Sequence, residues 1–439
     1  MKNRKLTAAL LLLMAAATPG AQAETLRVGR DDCRSMALRH SEELKKADNA
    51  VRQAELDVKI ARTSYLPKFD GSATGIYMTP DIDMMGSKLQ VKGAYMAGIQ
   101  LVQPIYAGGK ITAGNKLARI GRDVAGEQRR MCRMDVIADA DNAYWTYIAV
   151  LDKVRLLEDY KNMVDTLYSQ TEVAVEAGMA MGNDLLRIGS KRSEIIYQMQ
   201  KAANGAELCR MSLCNIIGAD PGTEIVPADS LPDCMAPGDL TVDIASRPEL
   251  HLLQHQIDAS RQQVNMTRGD FLPTVGLSLG YNYYGNIKLK GMADAGGGMY
   301  VPFSQENKGG IGMGVLSVSI PLFHWGEGMK KVKKARLAVD NAILDLEHTR
   351  SLLDLEARQA AANLTDGWNM IEAARTALDQ SAENLRVMRD RYDEKVSPLS
   401  DLLDAQTQWR QARSNMIEAA TQYQIYQTAW LRANGRLGD

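Results

Sequence analysis

The sequence has few cysteines and, beyond its first residues, no long apolar stretch. Its five cysteines are odd in number and irregularly spaced, so they match neither a disulfide framework nor a CxxC metal site, and we expect unpaired thiols. After residue 23 no segment approaches the uninterrupted apolar run of about 18 residues that a transmembrane helix needs. The sequence therefore predicts no membrane-spanning helix in this part of the chain.

The sequence also lacks an excess of positive or negative charge. The formal net charge is −1 and no basic stripe stands out, which argues against a nucleic-acid partner. The first residues are basic, then apolar, and end in the small-x-small cleavage pattern Ala21-Gln22-Ala23. We therefore predict a signal peptide at residues 1–23 and an exported protein. Glu24 follows where an acylated protein would have cysteine.

Proline is absent from two long stretches, between Pro104 and Pro221 and between Pro321 and Pro398. Because proline inside a helix costs about 3 kcal/mol, its absence permits very long helices. Residues 111–177 are rich in residues compatible with a helix, and one helix of this length would extend roughly 100 Å. Such a helix needs lateral neighbours, as in a coiled coil or a barrel of helices.

The chain contains an internal repeat. A shift of 217 places residues 104–218 on 321–435 without a gap, and upstream the shift is 206. Repetition of this kind is typical of barrels, arrays and pseudo-symmetric channels. We predict a first repeat at 24–218, a linker at 219–246 and a second repeat at 247–439. Their expected elements are a helix (36–64; 247–270), two strands (69–79 and 91–103; 274–284 and 311–320) and a helical hairpin (110–218; 327–435).

The turns of the two hairpins fall at matching places. Gly178 suits the left-handed position that ends a helix, and Asn183 or Asp184 is expected to cap the returning helix. In the second repeat the turn covers residues 395–400, with Ser400 or Asp401 as the expected cap. The glycine-rich stretch 291–310 is expected to be an exposed flexible loop that accounts for the change of shift.

The predicted strands have about the length that a tilted strand needs to cross a bilayer, and tyrosines near their ends fit an interfacial aromatic girdle. A soluble hairpin is the alternative. Four strands cannot close a membrane barrel, which needs about eight, and open edges are not tolerated in lipid. Two, three or four copies would supply about 8, 12 or 16 strands. Insertion therefore requires an oligomer.

Patterns that would indicate catalysis are weak. Residues 276–280 match G-x-S-x-G, but strand-like alternation continues where a nucleophile elbow needs a helix. His251 and His255 lie one helical turn apart, yet Leu252 stands where a zinc protease needs its glutamate. The 23 methionines leave soft-metal export open as a minor alternative to their use as core fillers. We expect no enzyme, no metal site and no cofactor.

Short motifs, repeated in one order, carry a resemblance to a known family. They are Ser64-Tyr65-Leu66-Pro67 with Asp270-Phe271-Leu272-Pro273, Gln103–Gly109 with Ile320–Phe323, Gly178-x5-Asp184-Leu185, and Asp401–Gln406. With them the whole mature chain resembles the TolC-like outer-membrane efflux proteins. The resemblance implies a mainly α fold with a β-barrel part. A homotrimer would pool 12 strands in an outer-membrane lipid bilayer, continuous with a periplasmic α-helical barrel.

The resemblance also implies partners and a function. The duct would conduct substrate passively from a periplasmic adaptor and an inner-membrane transporter to the exterior of a Gram-negative bacterium, in efflux or type I secretion. The helix tips would dock on the adaptor. The expected docking residues are Gly178, Met179, Asn183, Asp184, Lys395, Ser397, Pro398 and Ser400.

The same resemblance places a gate at the second tip. Tyr392 occupies the position from which the family's tip tyrosine helps to hold the closed state. Asp401 and Asp404 share a helix face, and threefold symmetry would place six carboxylates around the bore; capping and a solvated face are the alternative. Lys395 stands where the family has glycine, and Ser397 where a basic gate residue occurs, so the closing network is expected to differ.

Two other functions remain from the sequence. An exported coiled-coil structural or adhesin-like protein without a pore would have polar strands and no reason for matched tip turns. A periplasmic adaptor would carry an all-β insertion between its helices, and none is indicated between 111 and 217.

Overall fold

The computed structural model describes residues 25–84, 87–230, 234–294 and 300–438. The predicted signal peptide lies outside these residues. The chain forms two compact units. We call the first the helical unit; it comprises the chain up to Asp48, Gln128–Leu250 and the chain from Thr349. The second, the sheet unit, comprises Asn49–Glu127 and His251–His348.

Most of the described residues lie in helices, although the strands outnumber the helices by eight to seven. Two helices of 67 residues, α3 and α6, coincide with the stretches that lack proline. The elements are β1 (Thr25–Val28), α1 (Arg30–His40), α2 (Glu42–Thr63), β2 (Lys68–Tyr77), β3 (Ile82–Met84), β4 (Ser87–Gln90), β5 (Lys92–Ala107), α3 (Lys110–Glu176), α4 (Gly182–Ile217), β6 (Glu224–Pro227), α5 (Pro248–Gly269), β7 (Thr274–Asp294), β8 (Tyr300–Ser319), α6 (Glu327–Asp393) and α7 (Leu399–Ala433).

Several predicted boundaries differ from those of the structure. The helix predicted at 36–64 is two helices, α1 and α2, separated at Ser41, whose hydroxyl accepts a hydrogen bond from the Leu44 backbone N–H at 3.2 Å. The predicted linker 219–246 contains β6, which pairs in parallel with β1. Neither strand alternates over more than four residues, so no periodicity marks it in the sequence.

The expectation of a flexible loop at 291–310 is wrong over most of that range. Strand β7 continues to Asp294, and β8 begins at Tyr300 instead of 311. The glycines of β8 are covered by aromatic side chains of β7: a Cβ at Gly310 would lie 2.0 Å from the Tyr281 hydroxyl oxygen. Cross-strand tyrosines thus fill the space that the missing side chains leave, and the strand tolerates its glycines.

The sheet unit contains one antiparallel sheet in which β2, β5, β7 and β8 follow one another, with β4 and β3 extending beside β7. Directly paired residues share a face of the sheet. The register therefore collects one apolar face from all four long strands. Its large residues are Phe69, Ile99, Leu101, Leu277, Leu279, Tyr281, Leu316 and Val318.

The opposite face carries most of the polar side chains of the four long strands. There Gln100 lies between Asp70 and Gly280, and its side-chain amide donates to the Ser278 hydroxyl at 2.9 Å. Large apolar side chains also lie on this face, namely Ile76 of β2, Met96 and Val102 of β5, and Ile311, Met313 and Val315 of β8. The sheet is thus amphipathic, although both of its faces are open to solvent in the single chain.

The helical unit contains the buried core. One core cluster packs α3 against α4, β1 and β6 around Tyr144, Trp145 and Leu213. All five cysteines are free, which confirms the prediction of unpaired thiols. No helix within the described ranges combines the length and hydropathy needed to cross a membrane.

Candidate functional site at the helix tips

Each long hairpin reverses direction through a turn of the same construction. At the first tip, the Met179 N–H donates to the Ala174 carbonyl at 2.7 Å and the Gly178 N–H to Val175 at 3.0 Å. At the second tip, the Val396 N–H donates to the Arg391 carbonyl at 2.8 Å. This pattern is the Schellman motif, which satisfies carbonyls at the end of a helix. The two turns are related by the 217-residue shift.

The motif places one residue of each turn in the left-handed region. Gly178 has φ of 72° and confirms its predicted position, while Lys395 has φ of 60° at the equivalent position of the second tip. An L-residue in this region costs roughly 1–2 kcal/mol. The Lys395 ammonium lies 5.6 Å from the centre of the Tyr392 ring, a cation–π contact that offsets part of this cost.

The predicted helix caps are wrong. The N-cap positions are Met181 and Pro398, and neither makes a side-chain capping bond. Asp184 and Asp401 instead lie within the first turn, where a carboxylate is favoured by the helix dipole. The Ser400 hydroxyl donates to the Asp401 carboxylate at 3.2 Å and caps no backbone group in the described part of the chain.

Asp401 and Asp404 are both exposed, on the same face of α7. Within the described residues, the Asp404 carboxylate has no hydrogen bond or ion pair. In the first hairpin Arg187 stands at the position equivalent to Asp404 and is also exposed. The two tips therefore present opposite charges at equivalent positions.

The start of α7 is anchored by residues that the sequence prediction did not select. Leu399 and Leu402 are buried against Tyr160, Val164 and Ile188 of the first hairpin. Tyr392 is half-buried at the edge of the same cluster. The spacing of Leu399 and Leu402 on a helix was a usable signal, because it places both on one side of α7.

A second group missed from sequence borders this cluster and shares Tyr160 with it. The guanidinium of Arg410 stands 5.8 Å from the centre of the buried Tyr160 ring. Gln406, one turn earlier on α7, is 3% exposed. A small cavity of about 40 Å³ lies between α3, α6 and α7, and its lining includes Tyr392, Leu402 and Gln406. Aromatic and polar side chains therefore meet where the two hairpins pack.

The outermost part of each tip is apolar and exposed. Met179 and Met181 are each 75% exposed in the first turn, and Leu186 and Val396 are also exposed. The other predicted docking residues vary: Asn183 and Pro398 are exposed, whereas Ser397 and Ser400 are half-buried with Asp184. Exposed large apolar side chains at the end of a hairpin form a surface suited to contact with another protein.

Comparison with known proteins identifies the group to which this arrangement belongs. The model of the outer membrane efflux protein family matches residues 33–187 and 243–436, one segment in each repeat. The chain belongs to the outer membrane efflux protein family. This confirms the resemblance inferred from the repeated motifs, and both tip turns lie within or beside the matched segments.

Other members of the family are distant in sequence but similar over most of their length. Protein CyaE of Bordetella pertussis is 26% identical over 410 residues, covering 92% of this chain and 83% of that protein. Outer membrane protein TolC of Escherichia coli is 24% identical over 390 residues, covering 86% and 76%. A crystal structure of CusC superposes with a TM-score of 0.76 at 15% identity and covers 92% of both chains. At this identity the likeness shows the fold.

The two left-handed tip residues give a matched pair of predictions. We expect Gly178→Lys to destabilise the protein by about 1 kcal/mol, because it forces an L-residue to a φ of 72°. No atom lies within 4 Å of a Cβ built there, so crowding adds nothing. Lys395→Gly should change stability by less than about 0.5 kcal/mol, because relief of strain is offset by the lost cation–π contact and by backbone entropy. Urea unfolding of both variants measures the difference. A larger loss for Lys395→Gly would show that the contact with Tyr392 outweighs the strain.

Proposed function

We propose that this protein is an outer-membrane exit duct of a tripartite efflux or type I secretion system. It conducts substrate passively, and its partners, a periplasmic adaptor and an inner-membrane transporter, supply energy and substrate. Membership of the outer membrane efflux protein family supports the general role. The amphipathic sheet is the observation on this chain that carries the proposal.

The sheet is suited to lipid on one face and to a water-filled lumen on the other. Its apolar face carries large exposed residues such as Phe69, Ile99 and Leu316. Strands β2 and β8 each pair on one side only within the described residues, so the sheet has two free edges. Free edges cannot remain in hydrocarbon, because unpaired backbone groups are too costly there. Three copies would join their long strands into a barrel of about 12 and remove every edge.

This sheet also weighs against an adhesin-like protein without a pore. Such a protein would need no apolar face on its strands, whereas four strands here share one in register. In the trimer, the long helices of three chains would continue from the strands as a periplasmic tunnel. The helix tips would then form the entrance.

The exposed apolar tips are the proposed contact with the adaptor. Met179 and its neighbours at the first tip, and Val396 at the second, offer the large apolar side chains that protein interfaces use as anchors. Gly178, Asn183, Asp184, Lys395, Ser397, Pro398 and Ser400 complete the proposed docking surface.

Asp401, Asp404 and Tyr392 are the proposed gate and selectivity residues. The two exposed carboxylates of α7 would appear three times around the entrance and favour cations. Tyr392 lies in the last turn of α6 and Lys395 in the turn that follows, and only the second hairpin has this pair. The difference between the hairpins fits a gate in which the second hairpin moves.

Single-channel conductance of the purified protein in planar bilayers tests the function. We expect a small, cation-selective conductance that loses selectivity in the Asp401→Ala/Asp404→Ala variant, because the carboxylates that attract cations are gone. Arg386→Ala, which removes an exposed charge further along α6, is the control and should leave selectivity unchanged. Unchanged selectivity in the double variant would remove the acidic ring from the proposal. An oligomer that never conducts would contradict the duct itself.

A further inference from the structure

A basic and aromatic surface lies where β8 ends and α6 begins. We call it the α6 junction surface and define it by Phe323, Trp325, Lys330, Lys333 and Lys334. All five side chains are exposed, and Trp325 is 85% exposed. Every one of them lies in the sheet unit. It is separate from the helix tips and from the two faces of the sheet, which carry the proposed function.

Trp325 is held in a backbone conformation that disfavours it. Its φ is 49°, in the left-handed region, where the first repeat has Gly108 with φ of 61°. A bulky residue at positive φ is a genuine outlier. The indole contacts Phe323, with 5.0 Å between ring centres, and is otherwise largely open to solvent. A strained and exposed tryptophan points to a role outside the packing of the single chain.

Three lysines lie near the N-terminal end of α6. Lys330 is in the first turn, where the helix dipole repels positive charge, and Lys333 and Lys334 follow in the next turn. Their spacing places them on one face of the helix. Within the described residues, none of the three has a carboxylate within 4 Å. The adjacent Lys331 is different, because its ammonium pairs with Glu327 at 2.6 Å.

The first repeat shows that this charge is not a requirement of the architecture. At the positions equivalent to Lys330, Lys334 and Trp325 it has Ala113, Leu117 and Gly108, and only Lys333 has a lysine counterpart. Residues 321–338 contain five lysines and arginines and one acidic residue, Glu327, a net charge of +4. A cluster of unpaired cations is thus concentrated in one repeat.

The order of chemistry along the chain matches the order of layers in a bilayer. The apolar face of β8 ends with Leu316 and Val318, exposed aromatic residues follow, and the lysines come last. Tryptophan favours the boundary between hydrocarbon and headgroups, and lysine reaches from there to the phosphates. The headgroup region on each side is roughly 5–8 Å thick, and Lys334 lies about 10 Å from the start of α6. A lysine side chain is long enough to reach from that position back into the headgroup region.

We propose that the α6 junction surface binds the phosphate of an anionic phospholipid in the inner leaflet of the outer membrane. Lys330, Lys333 and Lys334 contact the phosphate, and Trp325 and Phe323 lie against the glycerol and upper acyl chain. The inner leaflet follows from the topology, since this end of the strands leads into the long helices. The inference rests on the proposed outer-membrane location.

Native mass spectrometry of the full-length protein in detergent tests this inference, with dioleoylphosphatidylglycerol and dioleoylphosphatidylcholine as probes. We expect preferential binding of phosphatidylglycerol. In Lys330→Gln/Lys333→Gln/Lys334→Gln this binding should weaken at least about tenfold, since each lysine near an anionic lipid contributes about fivefold. The triple arginine variant at the same positions should keep the preference for phosphatidylglycerol, and Trp325→Ala should weaken the binding of both lipids. The variant Lys46→Gln/Lys201→Gln/Arg375→Gln, which removes three exposed charges elsewhere, is the matched control.

Equal phosphatidylglycerol binding by wild type and the triple glutamine variant would overturn the inference. Competition by inorganic phosphate at the lipid's own concentration would also overturn it, because the ligand would then be a soluble anion. Conductance of the same preparations separates the two proposals. A wild-type channel with lipid binding unaffected by the substitutions contradicts the lipid site alone, whereas a protein that does not enter bilayers contradicts the proposed function.

Discussion

Replacing Ile99 with arginine is expected to prevent stable insertion into the outer membrane, whereas Gln100→Arg should leave insertion intact. The two residues are neighbours on β5 and point to opposite faces of the sheet. Ile99 pairs with Tyr281 on the apolar face, and its side chain is 67% exposed in the single chain. Arginine on a lipid-facing strand position costs about 2–4 kcal/mol near the middle of the bilayer, and a trimer carries this cost three times.

Gln100 provides the control because it lies next to Ile99 on the same strand but on the opposite face of the sheet. Its amide donates to Ser278 on the polar face, where arginine would reach the proposed lumen and lose only one exposed hydrogen bond. The measurement is the fraction of each variant recovered as a heat-stable oligomer in outer-membrane preparations. Equal recovery of the two variants would contradict the assignment of the faces. A loss confined to Gln100→Arg would reverse it.

Much of the fold could be predicted because it depends on features that are local or repeated. The lack of proline between Pro104 and Pro221 and between Pro321 and Pro398 permits the two helices of 67 residues. The 217-residue shift relates Gly178 to Lys395, and both adopt positive φ in the same turn. Equivalent positions of this kind can be identified from a single sequence, because each repeat can be compared with the other.

What could not be predicted depends on contacts between distant residues. The glycines of β8 are typical of a loop in the sequence, and only the structure shows that Tyr281 of β7 covers them in a strand. The short strands β1 and β6 pair across about 200 residues, and neither has a period of its own. The spacing of Leu399 and Leu402 places both on one side of α7, but it does not indicate that they pack against the first hairpin. In each case a partner far along the chain decides the local structure.

The tip residues show which site positions a family resemblance identifies and which it does not. The resemblance selected Ser400 as a docking residue and Asp401 as a gate residue, and in the structure the Ser400 hydroxyl donates to the Asp401 carboxylate at 3.2 Å. It gave no role to Gln406, although one motif ends there, nor to Tyr160 and Arg410, whose side chains are in contact where the hairpins pack. A motif identifies exposed positions by their type, whereas a packing contact involves side chains from both repeats and has no short pattern.

Removing the Arg34 side chain as Arg34→Met is expected to destabilise the helical unit by about 3–5 kcal/mol. Its guanidinium donates to the Asp141 carboxylate through Nε at 2.7 Å and Nη2 at 2.6 Å. Asp141 is 1% exposed, and Thr428 on α7 donates to the same carboxylate at 2.8 Å. This carboxylate thus joins α1, α3 and α7. Without Arg34 a buried negative charge would remain unpaired by any cation, which is the costly situation in a protein interior.

The melting temperature of the detergent-solubilised protein measures this effect, and we expect a fall of roughly 8–15 °C. Arg386→Met is the control, because Arg386 pairs with Glu383 at 2.7 Å on an exposed face, where such a pair contributes about 0–1 kcal/mol. Arg34→Met/Asp141→Asn should recover at least half of the loss, since the double variant buries no charge while Thr428 keeps an acceptor. A loss for Arg34→Met no larger than that for Arg386→Met would show that water reaches Asp141 and that the three elements are held together by their apolar packing.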